Sequence, residues 1–156
     1  MGEVLWPESA DSKTENSNDD SLVLHISHGD VRFLLTGDLE QKIESQLVAN
    51  HSPLASDFIK VGHHGSKTSS SEAFLEAVAP KVAVASVGDG NQFGHPAPVV
   101  VERYAKVGPH FLRTDRDGAV TVLTDGRTLR VHTFAGSDFV SPVSNGRETR
   151  AESRPE

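Results

Sequence analysis

The sequence predicts an α/β (α+β) chain, a mixed sheet covered by helices on at least one face. Three observations carry this reading. Short apolar runs alternate with segments of helical spacing, pairs of runs are joined by Gly/Asp turns, and one run, Val82–Val87, is continuously apolar like a buried strand. With 156 residues the chain has room for one domain with one proper core.

Each element has its own signal. Ser21–Ser27 (SLVLHIS) alternates apolar and polar residues, and Val31–Thr36 (VRFLLT) follows across His28-Gly29-Asp30, which predicts a β-hairpin. Leu39–Asn50 places Leu39, Ile43, Leu47 and Val48 at helical spacing. Asp57–Val61 (DFIKV) is a short strand leading straight into GHHGSKTSSSE. Ser71–Val78 reads as a helix begun by Ser70 or Ser71, acidic in its first turn and stopped by Pro80. Val82–Val87 follows as a strand, then Pro98–Val107 as a helix that tolerates Pro98 in its first turn. Phe111–Thr114, Ala119–Thr124 and Thr128–Phe134 complete the set, the last two joined around Asp125-Gly126 as a hairpin. The predicted order is β β α β α β α β β β.

Both ends are polar and aperiodic. Pro7–Asp20 and Ser137–Glu156 read as loop or disorder, so the expected division is a strand remnant and flexible loop over 1–20, an ordered domain over 21–135 and a disordered tail over 136–156.

Composition narrows the chemistry. The chain has no cysteine, which excludes disulfides and thiolate metal sites, so any metal must be held by carboxylates and some of the eight histidines. No apolar run approaches the roughly 20 residues of a membrane span, and the chain by itself reads as soluble. A net charge of −7 argues against a passive nucleic-acid binder, whose affinity comes from a basic surface. A protein of this charge that handles phosphodiesters needs bound cations.

Three polar stretches each follow directly on a strand: Thr36-Gly37-Asp38, then Gly62-His63-His64-Gly65-Ser66, then Ser86-Val87-Gly88 with Asn91 and Gly94-His95-Pro96 beyond. Where helices cover a sheet, the carboxyl ends of its strands gather at one edge and ligands bind there. Asp38 reads either as the N-cap of the following helix or as a ligand, and both can hold at once. His63 and His64, on an extended segment, point opposite ways, so one of them faces a ligand and the other its surroundings. Gly62 and Gly65 allow close approach, and Ser66, Lys67, Thr68 and Ser69 supply donors near the amino end of the next helix. A plain capping segment explains Ser70 and Ser71 but not a histidine pair between glycines. His95 is either a loop histidine set by Pro96 or a functional one. Arg113 and Asp115 read as a structural turn, and His25, His28, His51, His110 and His132 need no role.

Taken together, NDDSLVL at 18–24, FLLTGD at 33–38, IKVGHHGSKTS at 59–69, PKV at 80–82, SVG at 86–88, Asn91, GHP at 94–96 and RTD at 113–115 before Gly118-Ala119-Val120 resemble one family. It is the metallo-β-lactamase-like domain of the ComEC competence proteins, which take DNA into bacterial cells. The resemblance runs from about Leu5 to Val131, and Leu5-Trp6-Pro7 is similar to the edge strand before that family's variable loop.

The resemblance implies half to most of an αββα sandwich with a two-metal hydrolase site, zinc or manganese, at one edge. Asp38 matches the bridging carboxylate, and His64 is the favoured match for the last metal ligand, with His63 beside the substrate. His95 is similar to a position that contacts phosphate or donates a proton. Ser66, Lys67, Thr68, Ser69 and Asn91 are the expected substrate contacts. DNA is the implied substrate, and the parent family adds a membrane channel.

The family's first metal motif, HxHxDH, has no counterpart in this sequence, so the chain reads as the carboxyl-terminal portion of the domain. Two protein ligands alone should bind metal weakly, and the isolated chain is expected to be inactive. The expected partners are the missing amino-terminal half-domain or further copies of the chain, drawn to an apolar sheet face bearing Phe33, Leu34, Val82 and Val84. The other readings are a non-catalytic remnant or interaction module, and a small-molecule hydrolase of the same superfamily.

Overall fold

The computed structural model describes residues 1–8 and 16–143, and shows a mixed α/β architecture in three layers. The central layer is a six-stranded sheet in which the strands follow chain order: β1 (Gly2–Trp6), β2 (Val23–His28), β3 (Val31–Leu35), β4 (Phe58–Lys60), β5 (Val82–Ala85) and β6 (His110–Arg113). The first three pair antiparallel, and β3 to β6 pair parallel. Three helices make the crossovers between the parallel strands, α1 (Gln41–Ala49), α2 (Glu72–Val78) and α3 (Pro98–Val107). They pack on one face of the sheet. A short helical turn, α4 (Thr114–Asp117), leads into a second, three-stranded antiparallel sheet of β7 (Val120–Thr124), β8 (Thr128–Thr133) and β9 (Asp138–Pro142).

Strand periodicity divides the core in two. Leu34, Ile59, Ala83 and Ala85 point toward the helices and meet Ile43, Leu47, Phe74, Leu75, Val100 and Tyr104. Val31, Val82, Val84 and Leu112 point the other way and meet Leu129 and Val131 of β8, with Phe33 and Phe58 partly buried beside them. This corrects the expectation of an exposed sheet face. Val82 is fully buried and Val84 nearly so because the last hairpin turns alternate side chains inward and covers that face, while Leu34 lies on the opposite face, fully buried beneath the helices.

The second correction concerns the tail. Asp138–Pro142 forms β9, where polar composition predicts disorder; it pairs with β8 along its whole length and packs Phe139 against the second core. The rest of the expected tail, 144–156, and the part of the flexible start at 9–15 lie outside the described residues. Within the start, a 3-10 turn at Ser17–Asp20 is ordered around Asp19, which is buried and whose carbonyl accepts from the Trp6 indole N–H at 2.6 Å.

Because β3, β4, β5 and β6 run parallel, their carboxyl ends share one edge. The Asp38, His63-His64, Ser86 and Thr114 segments all emerge there.

Candidate metal centre

The loop after β3 is held by its neighbours before any ligand is considered. Gly37 takes a left-handed conformation (φ 54°) with Ser21 so close that a Cβ would lie 2.8 Å from the serine Cβ. Ser21 Oγ in turn accepts the N–H of Asp38 at 2.9 Å. Asp38 does not cap α1; that helix starts two residues later than expected, with Glu40 in the N-cap position, which leaves the Asp38 carboxylate out of the cap.

The loop after β4 is tighter than the extended segment the sequence suggests. His63 and His64 both sit in the left-handed region, at φ 44° and 55°, where residues bearing a side chain are uncommon and strained, about 1–3 kcal/mol each. The expected divergence of the two rings nevertheless occurs. His63 Nδ1 donates to the Glu40 carboxylate at 3.1 Å, while His64 turns toward Asp38 and Ser86. Backbone bonds lace the two loops together: His63 N donates to Gly37 O at 3.1 Å, and the Thr36 hydroxyl donates to Lys60 O at 2.8 Å.

The geometry of His64 is decisive for the chemistry. Its Nδ1 lies 2.6 Å from the backbone carbonyl of Ser86, an atom that can only accept, so Nδ1 carries the proton. In the neutral ring Nε2 is then a bare lone pair, and it faces Asp38 Oδ1 at 3.4 Å. Two acceptors held face to face call for a cation between them, either a proton on the imidazole or a metal ion. Ligands about 2.0–2.1 Å from a tetrahedral zinc lie roughly 3.3–3.4 Å from each other, so the pair fits one edge of such a site. A histidine whose other nitrogen donates to a backbone carbonyl is the usual arrangement of a metal ligand. Both side chains remain partly open to solvent, 41% exposed for Asp38 and 44% for His64. Among the described residues no group of three or more His, Asp or Glu side chains converges there.

Lys60 is the competing cation. Its ammonium donates to Gly37 O at 3.0 Å and stands 3.9 Å from Asp38 Oδ1. Burial pushes its pKa down, against the opposing pull of the Asp38 carboxylate. In the sequence it is an ordinary strand residue, with no signal of its place beside Asp38.

Glu40 has no such signal either, being one more polar residue at the start of a helix. Its carboxylate collects Thr68 Oγ1 at 2.9 Å, Asn16 Nδ2 at 2.7 Å and Asn18 Nδ2 at 3.4 Å besides His63. Burial alone would raise its pKa, but these hydrogen bonds outweigh burial and bring it down, so Glu40 is a carboxylate that orients the His63 ring.

The remaining candidates fall into two groups. His95 comes to the site, its ring edge-on to His63 with centroids 5.9 Å apart; burial and the adjacent His63 and His64 lower its pKa, and its Nδ1 is buried with no hydrogen-bond partner among the described residues. Pro96 packs on Gly65 and Ala97 N donates to Gly65 O at 2.8 Å, which ties the GHP segment to the histidine pair. Lys67 stays exposed. Ser66 and Thr68 share a hydroxyl contact at 3.0 Å, and Ser69 is buried, donating to Gly62 O and Ser66 O. Asn91 uses both ends of its amide on its own loop, accepting from His95 N at 2.9 Å and donating to His95 O at 2.8 Å.

The amino end of α2 already holds an anion from the chain itself. The buried carboxylate of Glu44 accepts the N–H groups of Ser70 and Ser71. Burial raises its pKa, and those two donors act in the opposite sense. Arg113 and Asp115 pair bidentately at 3.0 and 2.6 Å, as the turn reading expects, and Thr114 Oγ1 bonds both the N–H and the carbonyl of Val87, fixing the loop that carries the Ser86 carbonyl.

The sequence profile of the metallo-beta-lactamase superfamily matches residues 3–89, more than half of the chain and the stretch that includes Asp38, His63 and His64. The chain belongs to the metallo-beta-lactamase superfamily. Within it, the chain is similar to competence proteins: 38% identical over 117 residues to ComE operon protein 3 of Bacillus subtilis, and 43% identical over 119 residues to Competence protein ComA of Neisseria gonorrhoeae. These matches cover 75% and 76% of the chain but only 15% and 17% of those two proteins. Recombination protein 2 of Haemophilus influenzae is 39% identical over 101 residues, 65% of the chain and 12% of that protein. This is a metallo-beta-lactamase-like domain of the competence-protein type. No helix among the described residues is long and apolar enough to cross a membrane.

Proposed function

We propose that this chain supplies one side of a metal-dependent phosphodiesterase site acting on DNA during its uptake. The observation that carries the reading is the lone pair of His64 Nε2 held 3.4 Å from Asp38 Oδ1 by a committed proton on the opposite ring nitrogen. A divalent zinc or manganese ion, when bound, would polarise a phosphoryl oxygen, acidify a bound water and add positive charge to a chain of net charge −7. Asp38 and His64 would hold it. His63, oriented by Glu40, and His95 beside it are the side chains placed to contact the phosphate or move a proton, and Lys67 is the exposed cation on the same loop. The similarity to proteins named for competence and recombination supports DNA as the substrate.

With two protein donors, the chain by itself is inactive, and a segment supplying further histidines and carboxylates completes the site. That segment is a separate part of the same domain or a second copy of the chain. The test is hydrolysis of bis-p-nitrophenyl phosphate and of single-stranded DNA with Mn²⁺ or Zn²⁺, by the chain alone and by the chain joined to the matching amino-terminal segment of a competence relative. Activity that needs both parts, and that is lost in Asp38→Ala and His64→Ala, supports the proposal. Activity of the unassisted chain, abolished by both changes, would contradict the inactive reading and mean that a second copy of the chain completes the site or that the two donors suffice. A non-catalytic interaction module is the second reading, favoured by the lack of a third converging ligand among the described residues. It predicts that no added segment restores hydrolysis.

A further inference from the structure

An aromatic residue stands at the rim of the site. Phe93 is 74% exposed, on a loop whose Gly88, Gly90 and Gly94 have open space around them. An isolated surface phenylalanine needs no explanation. Phe93 is not isolated: its ring lies nearly parallel to that of His95, at 21° with centroids 5.9 Å apart, and His95 stands edge-on to His63. The series Phe93, His95, His63 therefore runs from open solvent to the residue beside Asp38 and His64.

The loop is also held in place. Asn91 grips the backbone of His95 from both sides and donates to Gly88 O at 3.2 Å, so the segment that presents Phe93 is closed on itself at its base. A phenyl ring with two side-chain torsions, on a closed loop and backed by an imidazole, loses little freedom when a flat group settles on it.

We propose that Phe93 is a stacking platform for a base of single-stranded DNA, adjacent to the phosphate that lies at the histidines. This rests on the DNA reading above and extends it by naming a base-binding residue. The physical need comes from charge. A chain of net charge −7 gains little from passive attraction to a polyanion, whereas stacking on an aromatic ring is uncharged and tolerant of sequence. Each base stacked on a protein aromatic contributes enough to change affinity by roughly 5- to 150-fold.

The experiment measures fluorescence anisotropy of two labelled probes of equal charge, a thymidylate of about ten nucleotides and an abasic oligomer of the same length. Both are titrated with the full chain and with Phe93→Ala and Phe93→Trp, without added metal. The expected result is that the unaltered chain binds the thymidylate at least about fivefold more tightly than the abasic probe, that Phe93→Ala erases the difference, and that Phe93→Trp keeps it. An equal affinity for both probes, or a preference that survives in Phe93→Ala, overturns the proposal, as does the absence of any binding. Hydrolysis of the same thymidylate with Mn²⁺ by the joined protein is followed in parallel. Loss of hydrolysis with the base preference intact counts against the phosphodiesterase reading and leaves the platform standing.

Discussion

Glu40 Oε1 lies 3.1 Å from His63 Nδ1 and 2.9 Å from the hydroxyl of Thr68, so one carboxylate at the start of α1 holds both ends of the loop after β4. That loop contains two consecutive left-handed histidines, a conformation that persists only where its surroundings enforce it. Replacing Glu40 with alanine removes the partner of both. The expected outcome is a loss of the Nδ1–H tautomer at His63, read from its ring nitrogen shifts in NMR, together with a destabilisation of about 0.5–1.5 kcal/mol from the hydrogen bonds lost. Glu40→Gln, which still offers one acceptor, should retain most of the tautomer. Unaltered ring shifts in Glu40→Ala would show that His63 is placed by the backbone alone.

Gly65 couples the histidine pair to the GHP segment. It has φ 84°, and a Cβ there would stand 2.5 Å from Pro96 Cβ and 2.9 Å from Pro96 Cα. Gly65→Ala therefore combines a disfavoured backbone with an overpacked contact against a rigid ring, and should cost about 2–4 kcal/mol by urea denaturation. A cost below about 0.5 kcal/mol would mean that the two loops move independently.

Arg113 and Asp115 set a pH dependence. Hydrogen bonding from Arg113 holds the Asp115 carboxyl below its ordinary range, against some loss of hydration. A depressed folded-state pKa adds stability that is complete above the unfolded value, about 3.9, and is lost as the pH falls through the folded value. Asp115→Asn should accordingly be less stable than the unaltered chain by about 1 kcal/mol at pH 7, with the gap closing below about pH 4. A gap that widens in acid would contradict this sign.

Lys60 stands 3.9 Å from the carboxylate oxygen that faces His64, and so competes with any metal for it. Lys60→Met removes the charge and keeps the length. Zinc affinity, measured by isothermal titration calorimetry, should rise by about tenfold, equivalent to about 1.4 kcal/mol of the attraction between charges at this distance. Unchanged affinity would mean that the ammonium swings aside at no cost.

Much of this is legible in the sequence, for reasons that are local. The strands announce themselves by alternation or by a continuous apolar run, and a parallel sheet forces their carboxyl ends together, so Asp38 and His64 can be paired from order alone. Glu40 is not legible, because the shift of the α1 start by two residues decides whether Asp38 or Glu40 occupies the cap position, and helix boundaries are poorly encoded. β9 escapes a reading by composition because Asp138–Pro142 presents only Phe139 and Ser141 to the protein, among polar neighbours and with Val140 exposed. The covering of Val82 and Val84 is hidden for a related reason: Leu129 and Val131 mark a strand face, but not which sheet it meets.

Asp38 and His64, proposed as one edge of a metal site, should bind zinc by themselves, though weakly. Half of the binding free energy that four-ligand zinc sites reach, roughly 5–8 kcal/mol, corresponds to a dissociation constant of about 1–200 µM. Calorimetric titration of the chain with Zn²⁺ at pH 7 should give one ion in that range, weakened at least about tenfold in Asp38→Asn and in His64→Ala and unaffected by His132→Ala at the distant β8. Zinc binding equally tight in both site variants, or no binding at millimolar ion, would contradict it.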